Sequence, residues 1–272
     1  MMVQSAPEGE PHFVITMSEH TALAGQFARA FGNDRFEAVE PRNEMIYLVD
    51  HHDHGWVDLD GEAPLNPKSR LPYNLVETPL DLIAPTSKQS PDFNTKRHPY
   101  CGLLSSMHSW GLYNGRYGLS DKVVILDMGD EAQATLKPFL DGELARQEQL
   151  KEELAQDSRA AAWIEEKHLF QNYKQLQFFD TLALYFNHVH AEAREGAAFP
   201  HIPVNAAEDV TITLRPAGNG VYELSPYPFS TDPLDVSFEG RWLAPLSGDD
   251  DDLKSALGAV GRDQQHATLV SA

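Results

Sequence analysis

The sequence predicts a mainly α protein, a helical bundle that carries a small β appendage at its C-terminal end. Three observations lead there. Across the first two thirds, apolar residues recur three and four positions apart, the spacing of one helix face. Beyond Pro200 the spacing switches to alternation, as in Val210-Thr211-Ile212-Thr213-Leu214, with turn residues between the runs. With 272 residues, 42% of them hydrophobic, the chain is long enough to bury one large core. Residues 1–200 are therefore expected to form a helical core and residues 201–272 a small β/α appendage packed on it, as a single structural domain.

The first helix opens at Thr16-Met17-Ser18-Glu19-His20, where Ser18 or Thr16 can cap it. Leu23, Phe27, Ala30 and Phe31 supply its apolar face until Gly32 stops it. His20 falls in its first turn. A second helix runs from Glu44 through Met45-Ile46-Tyr47-Leu48-Val49 into His51-His52-Asp53-His54 and ends at Gly55. Residues 58–96, rich in Pro, Asn, Ser and Thr, predict a long ordered loop with only a weak helical stretch near Thr78 to Ile83. Pro99 suits a first helical turn, so Tyr100 to Tyr113 read as a third, buried helix that carries His108. Two charged helices follow, about Glu131 to Asp157 with Pro138 breaking its first turn, then Ser158 to about Glu195. The second is amphipathic and places Asp180 among Leu176, Phe178, Phe179, Leu182, Leu184 and Tyr185, where a carboxylate is unfavourable unless paired or metal-bound. After Pro200, Val210–Leu214, Val221–Leu224 and Val236–Trp242 make the β appendage, with a turn at Gly218-Asn219-Gly220. The acidic run Asp249 to Asp252 reads as a solvated helix start, since no calcium-loop spacing accompanies it.

The charge balance narrows the function. Twenty-one basic against forty-one acidic residues give a formal charge of −20, so neither nucleic acid nor an anionic membrane surface is an expected partner. An anionic substrate is disfavoured too, unless bound cations reverse the field locally. The one cysteine, Cys101, forms no internal disulfide, and the first residues have neither a basic stretch nor an apolar run of signal-peptide length, which predicts a cytoplasmic protein. No stretch approaches the roughly 20 apolar residues of a membrane span. The partners expected are a small-molecule substrate and, at most, a second copy of the chain as a homodimer.

Twelve histidines are the compositional outlier, and histidine is the commonest metal ligand. His20, His52, Asp53, His108 and Asp180 each fall on or at the end of a core-facing helix, which is how a bundle assembles a metal site from several helices. Asp53 can bridge two ions through its two oxygens. Imidazole and carboxylate together suit one or two divalent transition ions (Fe, Mn, Zn or Co) rather than calcium. Trp56 reads as core and His51 as exposed, while His54 is a candidate donor or cleft-wall residue beside the doublet.

A His, a His-Asp doublet and a distant Asp, each on its own helix, resemble the HD superfamily of metal-dependent phosphohydrolases and related oxygenases. That resemblance implies His20, His52, Asp53 and Asp180 as ligands, with His108, and less directly His98, as the extra histidines of binuclear members. Asp53 and His54, which sit at the doublet, are the candidate catalytic residues. His98 and His108 are only ten residues apart, closer than the separate helices of the pattern, and His98 before Pro99 is equally suited to capping. The order of HHDHGW, PYCGLLSSMH, LQFFDTLALYF and LSPYPF is similar to the bacterial family known as domain of unknown function 3891, over most of the chain.

Three functions follow as expectations. The first is hydrolysis of a small phosphoester by metal-activated water, with Lys96, Arg97 and Arg116 as the only candidate phosphate contacts. The second is a di-iron oxygenase, against which stands the lack of a lysine one turn beyond the doublet or beyond His108. The third is a non-catalytic regulatory or binding protein.

Overall fold

The computed structural model describes residues 1–248 and 252–272. Two strands begin the chain, β1 (Met2–Val3) and β2 (His12–Ile15). Helices α1 (Met17–Ala30), α2 (Arg42–His51), α3 (Val57–Glu62), α4 (Leu80–Arg97), α5 (Pro99–Tyr113), α6 (Asp130–Leu154), α7 (Ser158–Ala161) and α8 (Glu166–His188) follow. Strands β3 (Ala197–Pro203), β4 (Asp209–Gly218), β5 (Val221–Ser225) and β6 (Leu234–Leu243), then α9 (Leu253–Ala259) and β7 (Asp263–Ser271), complete it.

The sheet corrects the expected fold class. With 53% helix and 19% strand, the protein is no helical bundle with a small appendage: a seven-stranded, curled mixed sheet forms a half-barrel. Its order is β1-β2-β6-β7-β5-β4-β3, antiparallel throughout except where β5 and β7 run parallel. Both ends of the chain enter it, for β2 pairs with β6 through Phe13 and Trp242, and β7 sits between β6 and β5. The sheet packs on α1 and α8. Phe27 of α1 lies 6.2 Å from Phe186 of α8, and Phe186 in turn meets Tyr222 of β5 edge-on at 5.0 Å. Phe178 of α8 likewise meets Phe199 of β3 at 5.8 Å. Helix and sheet therefore share one continuous apolar core.

The long loop expected over residues 58–96 is also corrected, because Leu80–Arg97 is an eighteen-residue helix despite Pro85 and Pro91 inside it. Each proline removes a helical hydrogen bond, and tertiary contacts outweigh that loss. Asn94 donates to the carbonyls of His51 and Ser90 and to Ser105 Oγ, while Ser90 Oγ accepts from the Gly55 amide. At Gly55 a Cβ would come within 2.1 Å of the Thr86 carbonyl, so a glycine is what lets α4 close against the doublet.

Other elements lie near their expected places. Thr16 caps α1, its hydroxyl accepting from the Glu19 amide. Helix α2 stops at His51 rather than Gly55, and a short 3₁₀ turn, His54–Trp56, follows the doublet. Two expectations are corrected: Pro138 does not break α6, which runs through it, and the helix expected from Ser158 to about Glu195 is divided into α7, a 3₁₀ turn at Ala162–Ile164 and α8, which ends at His188. Asp249 to Asp251 of the acidic run lie outside the described residues; Asp252 caps α9 through the Ser255 amide. No helix among the described residues is long and apolar enough to cross a membrane.

Candidate metal centre

Five side chains, from α1, α5, α8 and the end of α2, converge on one buried point. His20 stands in the first turn of α1, His52 caps the end of α2, Asp53 follows it, His108 comes from the middle of α5 and Asp180 from α8. His20, His52 and Asp180 each offer an atom within 4.8 Å of the others, and so do His52, Asp53 and His108. The two groups share His52. His20 Nε2 lies 3.2 Å from Asp180 Oδ1, and His52 Nε2 lies 3.7 Å from both Asp180 Oδ1 and Asp53 Oδ2. His108 Nε2 is 3.9 Å from Asp53 Oδ1. His20, His52 and His108 are at most 1% exposed.

The far nitrogen of each ring is fixed from behind. His52 Nδ1–H donates to the Val49 carbonyl at 2.8 Å, and His20 Nδ1 faces Asn187 Oδ1 at 2.9 Å. Both contacts leave Nε2 as the nitrogen turned to the centre. His108 Nδ1 faces the side-chain amide of Gln177 at 2.9 Å, while Gln177 Oε1 has no partner. A half-turn of that amide brings Oε1 to His108 Nδ1–H and gives the third ring the same polarity as the other two.

His52 Nε2 is buried without a hydrogen-bond partner. At 3.7 Å its two carboxylate neighbours act through charge rather than a hydrogen bond. An orphaned imidazole nitrogen among two carboxylates and two further imidazoles is a donor set that fits a divalent transition ion.

The electrostatics follow from crowding. Burial alone depresses the His52 imidazolium, but Asp53 and Asp180 outweigh it and lift its pKa to about 9. His108, further from the carboxylates, is governed by burial and falls to about 4. Burial would raise Asp180, yet His20 and His52 hold it well below the usual carboxylate range.

The remaining candidates lie elsewhere. His98 caps α5, its Nδ1 accepting from the Tyr100 amide at 3.1 Å, and its ring lies beside Trp163. It stands outside both metal-competent groups. His54 stacks on Phe93 at 3.4 Å, and His51 continues that stack onto Tyr47 at 4.3 Å, so His54 does not face the centre with Asp53. Trp56 is in the core. Lys96 is exposed and Arg97 lies over the Tyr47 ring, which leaves Arg116 as the cation at the centre, 3.7 Å from Asp180 Oδ2.

Sequence reading missed Gln177 and Asn187, which orient two of the ligands. Their signal was present: Gln177, Asp180 and Asn187 are polar residues on one stripe of α8, and all three are buried.

A curled half-barrel closed over helices that hold a buried His and Asp centre defines the class to which this protein belongs. The chain belongs to the family described as protein of unknown function (DUF3891), whose model matches residues 1–244. No curated protein and no solved structure matches it.

Proposed function

We propose that this protein is a metal-dependent enzyme of the HD type that hydrolyses a small phosphoester. The observation that carries the reading is the unpartnered, fully buried His52 Nε2, set between two carboxylates and within reach of His20 and His108. An isolated nitrogen of this kind is unfavourable by roughly 1–3 kcal/mol unless something binds it, which a cation does. The order of ligands along the chain, His, His-Asp, His, Asp, is the second support.

A divalent cation held here would acidify a coordinated water and neutralise charge on a phosphoryl oxygen. The protein's own share is orientation. Val49, Asn187 and Gln177 fix the three rings, and Asp53 is the most open of the ligands. Arg116 adds a fixed positive charge in a chain that is otherwise strongly acidic.

The second group, His52 with Asp53 and His108, gives a specific reason to keep a di-iron oxygenase as the other reading, since it provides for a second ion. Elemental analysis of protein purified without chelator separates the two. Manganese, cobalt, zinc or magnesium with phosphate release from a simple phosphomonoester supports the hydrolase; two irons per chain with oxygen uptake supports the oxygenase. Protein that arrives without metal and rebinds none of these ions overturns both and leaves a regulatory or binding role.

A further inference from the structure

Beside the centre lies a cavity of about 280 Å³ whose walls include Arg116, Gln177, Phe178, Phe199, His201 and Ile202. Its volume is at the small end of ligand sites, so it suits a metabolite-sized molecule. Two backbone irregularities face each other across it. On one side the Gly115–Gly118 turn holds Arg116 at φ 49° and Tyr117 at φ 56°, two consecutive non-glycine residues in the left-handed region. On the other side β3 breaks register between Phe199 and Ile202, with His201 at φ 62°. Such residues are strained, and bulges and left-handed residues gather where a side chain must be aimed.

The aimed side chain is Arg116. Its guanidinium makes no hydrogen bond among the described residues, and its one ion pair, to Asp180, is loose at 3.7 Å. It is only 23% exposed, so its donors are neither satisfied by protein nor freely hydrated. Lys174, paired with Asp209, adds a second cation to the wall. Phe178, Phe199 and Ile202 supply an apolar floor.

We propose that this cavity is the substrate-binding site, and that it takes a small organic phosphate monoester: Arg116 holds the phosphate beside the centre and the apolar floor receives the organic body. The proposal rests on the hydrolytic reading given above for the location of the chemistry, but the binding itself does not require metal. A cation on Asp180 competes with Arg116 for the same carboxylate, so loading the centre frees the guanidinium for the phosphate.

Calorimetric titration tests this with two probes, inorganic phosphate and phenyl phosphate, on the full chain with and without Mn²⁺, alongside metal content. Phenyl phosphate is expected to bind at least tenfold more tightly than inorganic phosphate. Arg116→Gln is expected to weaken both probes by tenfold or more with metal content unchanged. Thr181→Trp, which fills the cavity from α8, is expected to remove the advantage of the phenyl ring and spare inorganic phosphate. Equal affinity for the two probes, or an Arg116→Gln protein that melts normally and binds phenyl phosphate as before, overturns the proposal. If the protein takes up metal stoichiometrically yet binds neither probe, the cavity assignment fails and the hydrolytic reading stands. If it takes up no metal yet binds phenyl phosphate through Arg116, the reverse holds.

Discussion

His51 and His54 flank His52 and Asp53, yet the two pairs meet opposite surroundings. His52 turns inward to a nitrogen-rich, carboxylate-lined point with its Nε2 unpartnered, whereas His51 and His54 form a half-exposed aromatic stack with Tyr47 and Phe93. Residue type is the same and the chain separation is one or two residues. The difference comes from where α2 ends: stopping at His51 rotates His52 under α5 and α8 and leaves its neighbours against α4. A histidine becomes a ligand through what is packed behind it as much as through what lies before it.

The sharpest way to break this contrast is to remove one member from each side. His52→Ala or Asp180→Asn is expected to abolish stable metal binding, measured by elemental analysis after gel filtration. His51→Ala and His54→Ala are expected to keep wild-type stoichiometry. If the outer histidines also lose the metal, the division between the two groups is wrong.

The pH dependence of the metal-free protein sharpens the inner side. The folded pKa of His52, about 9, is above the ordinary 6.5, so its stabilising contribution is complete below pH 6.5 and is lost as pH rises through about 9. His108 has the opposite sign. Its folded pKa, about 4, is below 6.5, so the unfolded chain takes up a proton first and stability falls as pH drops from 6.5 towards 4. Each interval is worth about 3 kcal/mol at roughly 1.4 kcal/mol per pH unit. Urea unfolding of chelator-treated protein is therefore expected to show maximal stability near pH 6.5, with losses on both flanks. A bound cation keeps His52 deprotonated and removes the alkaline loss. A monotonic profile in the metal-free protein would contradict the charge arrangement at the centre.

The residues behind the rings come next. Gln177→Ala and Asn187→Ala each leave a ligand in place but free its ring to turn, and a 10–100-fold loss of metal affinity is expected. Phe93→Ala, which removes the same kind of support from His54, is expected to leave affinity unchanged. Competition with a chromophoric chelator measures all three.

The inner residues were legible in the sequence because each broke a pattern. His20, His108 and Asp180 are polar residues at positions where helical periodicity demands an apolar one, and His52-Asp53 closes a helix. The strands Val210–Leu214, Val221–Leu224 and Val236–Trp242 were equally plain, since their buried faces alternate. What the sequence concealed was their extent. In β7 only Ala267 and Leu269 are buried, and β1 and β2 are too short to show a period, so the strands that turn an appendage into a half-barrel carry almost no local signal. Helix α4 was hidden for the opposite reason: its two prolines argue against a helix that only its packing against Gly55 and Ser105 makes favourable.

His98 offers the smallest effect and a strict check on the division. It precedes α5, accepts from the Tyr100 amide and sits ten residues before His108, or about 15 Å along the helix. Its imidazole satisfies one of the free amides of the first turn, the work usually given to Ser, Asn or Asp. His98→Ala is therefore expected to reduce stability by about 1 kcal/mol and His98→Asn to restore most of it, with metal affinity equal in both. Chemical denaturation read beside metal titration tests the pair. If His98→Ala lowers metal affinity and His98→Asn does not recover it, the imidazole reaches the centre in solution and the extra-histidine role has two holders rather than one.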